Sequence, residues 1–515
     1  MHILSTVGNR TIPGMMAERA QRHPNREFLV VEDAMQHVTV FTWQQANEII
    51  NNVASLLSGR GVTNGTKVHM HLTNRPEFIF GWFACNRLGA ILVPTNTASS
   101  IDELAYILNH SESMVSITES TFAQQMKEVK ARSSTLQEIL LVDQMPLFHE
   151  VNRSANVAMQ PMNVHPLDDA AILYTSGTTA RPKGVLITHA NYVYAGESVS
   201  KGMGLTPDDR FLTVLPLFHG NAQYYCMMSV LITGATLLLM ERFSASRYVE
   251  QAVRHQATVA SLFAAPMRML LAQPQKAQAG QHNVRLAIFA QNLSESQIQE
   301  WEERIAMPLM QIYGMTETIG PPLMNPLYER RDPQSIGRVV LGYTCRIVDD
   351  NGNDVEPGET GQLLVGGIPG ISLMRGYFKD EAATHATLKN GWLSTGDNVR
   401  CDEKGYVYFV DRLKDMIKRA GENIAASEVE SVIKDYPGVF DVAVVGVPDS
   451  MRDEAIKAYV VLHEGSSVTS KDIINWCSTR LAKFKVPRAI EFVEELPRTS
   501  VGKIQKHLLR TLGSS

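Results

Sequence analysis

The sequence predicts an α/β protein built in three successive parts. Open, largely parallel sheets covered by helices come first, then a small antiparallel or barrel-like unit, then a compact β/α segment of about a hundred residues. Three observations predict this. Amphipathic helical patterns alternate with short apolar runs through most of the chain. Glycine and proline become dense after about residue 335. A basic cluster at 411–419 then precedes a fresh run of strand and helix patterns.

The first clear helix is predicted over 42–58. Trp43, Ala46, Ile50, Val53 and Leu57 fall on one stripe of a 3.6-residue period. Thr42 followed by Gln45 predicts a capping box, and Gly59 and Gly61 end the helix. Ser294 with Gln297 and Ser427 with Glu430 predict two further capping boxes. Apolar runs at 171–174, 211–215, 236–240, 286–290 and 310–313 read as buried parallel strands. The glycine- and proline-dense stretch includes Gly352, Pro357, Gly358, Gly361, Gly366, Gly367, Pro369 and Gly370, and its strands at 362–365 and 406–410 are short. Arg412, Lys414, Lys418 and Arg419 form the basic cluster, and a domain boundary is placed at 411–415. Strands at 441–447, 455–461 and 490–493 complete the last segment.

Composition narrows the function. The chain has 515 residues, 44% hydrophobic and 20% charged, enough for about three to five domain-sized units. Its 48 Lys+Arg and 53 Asp+Glu give a net charge of −5, a poor match to a nucleic-acid duplex. Five scattered cysteines without CxxC exclude a zinc ribbon and a disulfide framework. The first ten residues lack the build of a signal peptide. No apolar run reaches the ~18–20 residues of a membrane span, since 227–240 is interrupted by Ser229, Thr233 and Gly234. The expectation is a soluble protein of a reducing, cytoplasmic compartment.

The most informative stretch is YTSGTTARPKGV at 174–185. It brings Thr175, Ser176, Gly177, Thr178, Thr179, Arg181 and Lys183 together after an apolar strand. Backbone N–H groups in a glycine turn, hydroxyls and an ammonium form an anion cradle, for which phosphate is the natural guest. It is not a Walker A loop, because the G-x-x-x-x-G-K-[ST] pattern is absent.

This stretch resembles the phosphate loop of the adenylate-forming superfamily, which includes acyl- and aryl-CoA synthetases, nonribosomal adenylation domains and beetle luciferases. The resemblance continues in order through PLFHG at 216–220, YGMTET at 313–318, STGD at 394–397, DRLKDMIK at 411–418 and PRTSVGK at 497–503, across essentially the whole chain. It implies a large N-terminal domain, 1–411, of two doubly wound sheets plus the barrel-like unit, and a small mobile α+β domain, 412–515, hinged near Lys414. It also implies the chemistry. A carboxylate attacks the α-phosphate of ATP, pyrophosphate leaves, and a thiol, usually that of CoA, takes the acyl group. Joining two anions makes charge neutralisation the dominant task.

The roles the resemblance implies are as follows. Thr175, Ser176, Gly177, Thr178, Thr179 and Lys183 hold the phosphates. Glu317 binds Mg2+ with help from the Thr175 hydroxyl. Tyr313 stacks on adenine, Gly314 and Met315 adjoin the nucleotide, and Thr316 meets the α-phosphate. Asp397 accepts from the ribose hydroxyls, assisted by Arg412. Lys503 serves adenylation and Lys418 the thioester step, after the small domain has rotated. Gly421 lets the backbone approach the pantetheine arm, and His219 sits where acyl pocket meets thiol tunnel.

Where many family members carry GGAPL, this chain has AQNLS at 290–294. Gln291 and Asn292 then either hydrogen-bond the base or narrow the acyl pocket. The same departure occurs in carnitine/crotonobetaine-CoA ligases, which 76–80, 451–457 and 482–487 also resemble. Betaine acids carry a quaternary ammonium that aromatic faces bind well, and Phe218, Tyr224 and Tyr225 follow the motif bordering the acyl pocket. The expected activity is an AMP-forming acyl-CoA synthetase using Mg2+, ATP and CoA on a small or medium carboxylic acid, with a betaine acid favoured. Alternatives are an adenylation enzyme loading a carrier-protein thiol, a medium-chain fatty-acid–CoA ligase, a luciferase-like oxygenase and a silent nucleotide-binding scaffold. The expected partners are these small molecules, with a homodimer as the candidate assembly.

Overall fold

The apolar runs become the central strands of two sheets. The computed structural model describes residues 6–148, 163–175, 181–274, 280–290, 293–412, 415–419, 422–449, 453–498 and 504–512. The centre of a nine-stranded sheet is parallel, in the order Leu309–Tyr313, Leu286–Ala290, Val259–Phe263, Arg210–Thr213, Thr236–Met240 and Glu27–Glu32. Thr236–Met240, Val259–Phe263 and Leu309–Tyr313 are buried at every residue. Both of their faces are covered, which is why these runs are continuous rather than alternating. A seven-stranded sheet has a parallel core of Asp169–Thr175, Ile91–Pro94, Lys67–His71, Val115–Thr118 and Glu138–Leu141. Lys183–Thr188 and Gly376–Tyr377 extend it as antiparallel edge strands.

The expected helix forms as Trp43–Ser58. Its capping box is present: Gln45 N–H donates to Thr42 Oγ1 at 3.2 Å, and Thr42 N–H donates to Gln45 Oε1 at 2.9 Å. The box at Ser294 also forms, opening helix Glu295–Arg304. The third does not. Helix Ala426–Lys434 begins one residue before Ser427, so Ser427 lies inside its first turn. There Ser427 donates its hydroxyl to the Val410 carbonyl and its N–H to Asp411 Oδ2. Glu430 instead accepts from Val444 N–H and pairs with Lys506. Long-range partners outcompeted the local motif.

The barrel-like unit is a five-stranded antiparallel sheet of Thr344–Val348, Gly361–Gly366, Trp392–Cys401, Leu388–Lys389 and Val407–Arg412. The last unit has its own sheet, in which Val439–Asp449 and Asp453–Leu462 pair antiparallel and Ala489–Phe492 joins in parallel. Alternate residues of strand Val439–Asp449 serve two cores. Val442 and Val444 pack with helices Ala426–Lys434 and Ser470–Ser478, while Ala443 and Val445 pack with Leu496 and Leu509. The large core ends at Val407 and the small one begins at Ile417. Lys414 lies outside the described residues. No helix among the described residues is long and apolar enough to cross a membrane.

Three buried histidines are held neutral by desolvation. His69 is pushed well below the usual imidazole range, by burial first and by His71 second. Burial takes both His71 and His189 down to about 4. His69 shares its ring nitrogens with Ser116 and Thr95, each at 2.8 Å. Each folded-state value lies below the unfolded value of about 6.5, so the unfolded chain binds more protons. Their stabilisation is present above pH 6.5 and is lost as pH falls toward 4. Urea unfolding between pH 6.5 and 5, above most carboxylate titrations, should show stability falling with a slope approaching three protons. His71→Asn should lower that slope by about one proton, and a flat profile in the parent would refute neutral burial.

Candidate active site

The candidate site gathers at the carboxyl ends of the parallel strands, where open α/β sheets place their ligands. Strand Asp169–Thr175 turns back as Lys183–Thr188, with Thr175 opposite Lys183. The hydroxyl-rich turn therefore joins two strands of a hairpin. Ser176, Gly177, Thr178 and Thr179 lie outside the described residues. Helix Ile101–Ser111 braces the flanks of the turn. The Tyr106 ring lies under the Arg181 guanidinium at 5.1 Å, and its hydroxyl donates to the Pro182 carbonyl at 3.2 Å. His110 Nδ1 meets the Tyr174 hydroxyl at 2.7 Å.

Strand Leu309–Tyr313 ends in the turn that carries Gly314, Met315, Thr316 and Glu317. Gly314, Met315 and Thr316 are at least partly exposed, while Glu317 is only 6% exposed. A Cβ at Gly314 would fall 2.4 Å from the Tyr225 hydroxyl oxygen, so close packing requires glycine there. Thr318 Oγ1 accepts from Met315 N–H at 2.9 Å and donates to Met315 O at 3.0 Å. Ile319 follows at φ +66°, a costly conformation for a β-branched residue. Tyr343 holds the strained turn, donating to Thr318 O at 2.7 Å and accepting from Gly320 N–H at 3.0 Å.

Glu317 is tied to the hairpin by a residue that sequence reasoning missed. The Tyr377 hydroxyl donates to Glu317 Oε1 at 3.0 Å, and the Lys183 ammonium sits 5.0 Å from the centre of the Tyr377 ring. Burial, and then the Glu317 carboxylate, hold the Tyr377 hydroxyl protonated well above its usual range, keeping it a donor. Tyr377 reaches this place because Gly376–Tyr377 pairs with Val185 and Leu186. Its local signal was only an aromatic in a glycine-dense stretch. Glu317 and the Thr175 hydroxyl are hard oxygen donors of the kind a phosphate-bridging Mg2+ takes. Among the described residues, no cluster of three His, Cys, Asp or Glu forms a self-sufficient metal cage.

A second network surrounds Asp397, which is 5% exposed. The Tyr313 hydroxyl donates to Asp397 Oδ2 at 2.7 Å, and Arg412 Nε meets Asp397 Oδ1 at 3.2 Å. Asp397 and Arg412 face each other in register across neighbouring strands. Burial and the neighbouring Asp397 charge raise Tyr313 well above the usual phenol range. Each carboxylate oxygen keeps lone-pair capacity for a further donor.

The stretch after PLFHG is a π-helix, Asn221–Met227, a rare conformation that recurs at functional sites. Tyr224 is buried there, with its ring centre 5.6 Å from that of Tyr192 and its hydroxyl lacking a hydrogen-bond partner among the described residues. His219 stands edge-on to Phe263, with ring centres 5.8 Å apart, and Phe218 is half-buried against the core. Lys418 is exposed, and its N–H donates to Glu454 at 2.7 Å. Gln291, Asn292, Gly421 and Lys503 lie outside the described residues.

A buried carboxylate beside a strand-end tyrosine, and a second one linked to a lysine-bearing hairpin, define a nucleotide-binding enzyme with a separate small domain. The chain belongs to the AMP-binding enzyme family: residues 16–378 match the family model, and residues 428–503 match that of the AMP-binding enzyme C-terminal domain. It is 38% identical to a crotonobetaine/carnitine–CoA ligase of Salmonella typhimurium, over 98% of this chain and all of that protein. The anthranilate CoA ligase AuaEII in complex with anthranoyl-AMP superposes with a TM-score of 0.90 at 26% identity, covering 98% of each chain. The o-succinylbenzoate–CoA synthetase of Bacillus subtilis, with ATP and a magnesium ion, gives a TM-score of 0.84 at 30% identity, covering 97% of this chain and 98% of that one.

Tyr377→Phe should raise the magnesium concentration for half-maximal nucleotide turnover about tenfold, as expected for losing a hydrogen bond to a charged group. Magnesium titration checks it. An unchanged requirement would remove the hydroxyl from the metal-side network.

Proposed function

We propose that this protein is an AMP-forming acyl-CoA synthetase that activates a betaine-type or similar small carboxylic acid with Mg2+ and ATP and passes it to CoA. The observation that carries this reading is full-length similarity to a crotonobetaine/carnitine–CoA ligase, together with the predicted carboxylates in nearly buried, hydrogen-bonded positions. In this reading Asp397, oriented by Tyr313 and Arg412, receives the ribose hydroxyls. Glu317, oriented by Tyr377, holds the magnesium ion with Thr175, and the ion screens the phosphates. Lys183 and the turn at 175–179 cradle the leaving pyrophosphate. In the sequence Lys503 falls between Pro497 and Gln505, whose N–H donates to the Pro497 carbonyl at 2.8 Å. It supplies the positive charge as the carboxylate meets the α-phosphate.

The second step needs room for a thiol. We place the domain boundary between Asp411 and Arg412 and the pivot at Lys414, between a core ending at Val407 and one beginning at Ile417. Rotation there exchanges the Lys503 face for the face bearing Lys418 and Gly421. His219 stands at the junction of acyl pocket and tunnel.

Lys503→Ala should lower carboxylate-dependent ATP–pyrophosphate exchange ~10²–10³-fold, while thioester formation from supplied acyl-adenylate persists. Lys418→Ala should show the reverse, and equal loss of both steps in either variant would refute this division of labour. For the acid, carnitine should support more pyrophosphate release than octanoate with CoA present; preference for octanoate would sink the betaine assignment.

A further inference from the structure

Outside the site, the densest group of buried charge lies where the two domains meet. Asp441, on strand Val439–Asp449, is 2% exposed. Lys434, the last residue of helix Ala426–Lys434, stands 3.3 Å from its Oδ1. Arg498 bonds its Oδ2. Arg268, on helix Ala264–Leu271 of the large domain, brings Nη2 to 4.0 Å from the same oxygen. One turn back on the Lys434 helix, Glu430 pairs at 2.8 Å with Lys506, on which Asp411 and Asp415 also act. Asp435, the neighbour of Lys434, accepts from the Ser296 hydroxyl of the large domain at 3.4 Å.

The charges around Asp441 do not balance. Three cations share its one carboxylate, and the nearby Glu430 is answered by its own partner Lys506. A positive surplus shielded from water is costly, and the release of one proton relieves it. Neither arginine supplies that proton, because a guanidinium keeps its charge. Lys434 is the third cation. Burial first and Arg268 second take it down to about 7, with Arg498 and Lys506 adding to the shift and Glu430 opposing it. The Asp441 carboxylate also favours the charged amine, but it is divided among three cations.

Of those three, Arg268 alone comes from the large domain. With Lys434 charged, Arg268 approaches a carboxylate that already has two cations of the small domain around it. With Lys434 neutral, Asp441 and Arg498 offset each other and that repulsion is gone. Docking of Arg268 and protonation of Lys434 therefore oppose one another, and linkage fixes the sign. The docked state holds the proton less tightly than the undocked one. Docking then releases it to solvent, and docking strengthens as pH rises through about 7.

We propose that this junction is a pH-sensitive latch: Lys434 gives up its proton when Arg268 docks, so the two domains hold together more firmly in mildly alkaline than in mildly acidic solution. Small-angle scattering on the full chain tests it. In the parent, the docked-to-undocked ratio should rise about tenfold between pH ~6.5 and ~8.5, and the mean domain separation should shrink with it. Lys434→Met keeps the aliphatic stem without the charge. It should be as compact at the lower pH as the parent is at the higher one. Lys434→Arg carries its charge at both pH values and should stay as open as the parent at the lower one. A parent whose domain separation does not change with pH overturns the latch, and that result needs no variant. A pH response that persists at full size in both Lys434 variants also overturns it, because another group then carries the proton.

Discussion

One nearly buried carboxylate holds two sheets of this molecule in fixed relation. Asp397 sits on the antiparallel sheet, receives a hydrogen bond from Tyr313 at the end of the nine-stranded sheet, and pairs with Arg412 on the neighbouring strand of its own sheet. A charge this enclosed is costly unless its oxygens are satisfied. That cost is what makes the geometry definite. The end of strand Leu309–Tyr313 and the antiparallel sheet cannot drift independently without stranding the charge. Gly396, at φ +72°, provides the irregularity in the strand immediately before it, where the pairing register shifts.

The Glu317 network applies the same logic at a second place. Its hydrogen-bond partner arrives on an edge strand from a remote part of the chain, and the same aromatic ring supports Lys183. Lys183 stands on the second strand of the hairpin that Asp169–Thr175 opens, so the ring beside its ammonium comes from the edge strand and not from the hairpin itself.

Much of the scaffold was legible in the sequence. Thr236–Met240 and Leu286–Ala290 match the apolar runs residue for residue, and the helix beginning at Trp43 starts where its capping box places it. Continuous burial on both faces writes itself into the chain as unbroken aliphatic runs. The capping box expected at Ser427 failed for a reason no local pattern contains. Val410 and Asp411 took the Ser427 donors, and Val444 and Lys506 took Glu430. The chemistry-bearing residues Glu317 and Asp397 were visible through their motifs. Tyr377, which donates to Glu317, and Tyr343, which holds the turn after it, were not, because a lone aromatic in a glycine-dense stretch looks the same whether it braces a site or fills a core.

By itself, then, the sequence determined which segments are strands and helices and which side chains carry charge and hydroxyls. Those properties depend on neighbours a few residues away. Tertiary structure alone decided the pairings: Glu317 with a tyrosine 60 positions distant, Asp397 with one 84 positions away, and Arg268 with a carboxylate on the other domain. Such contacts depend on how sheets stack and edges pair. Hydrogen bonds and ion pairs hold only within a few ångströms, so no periodicity along the chain can specify them.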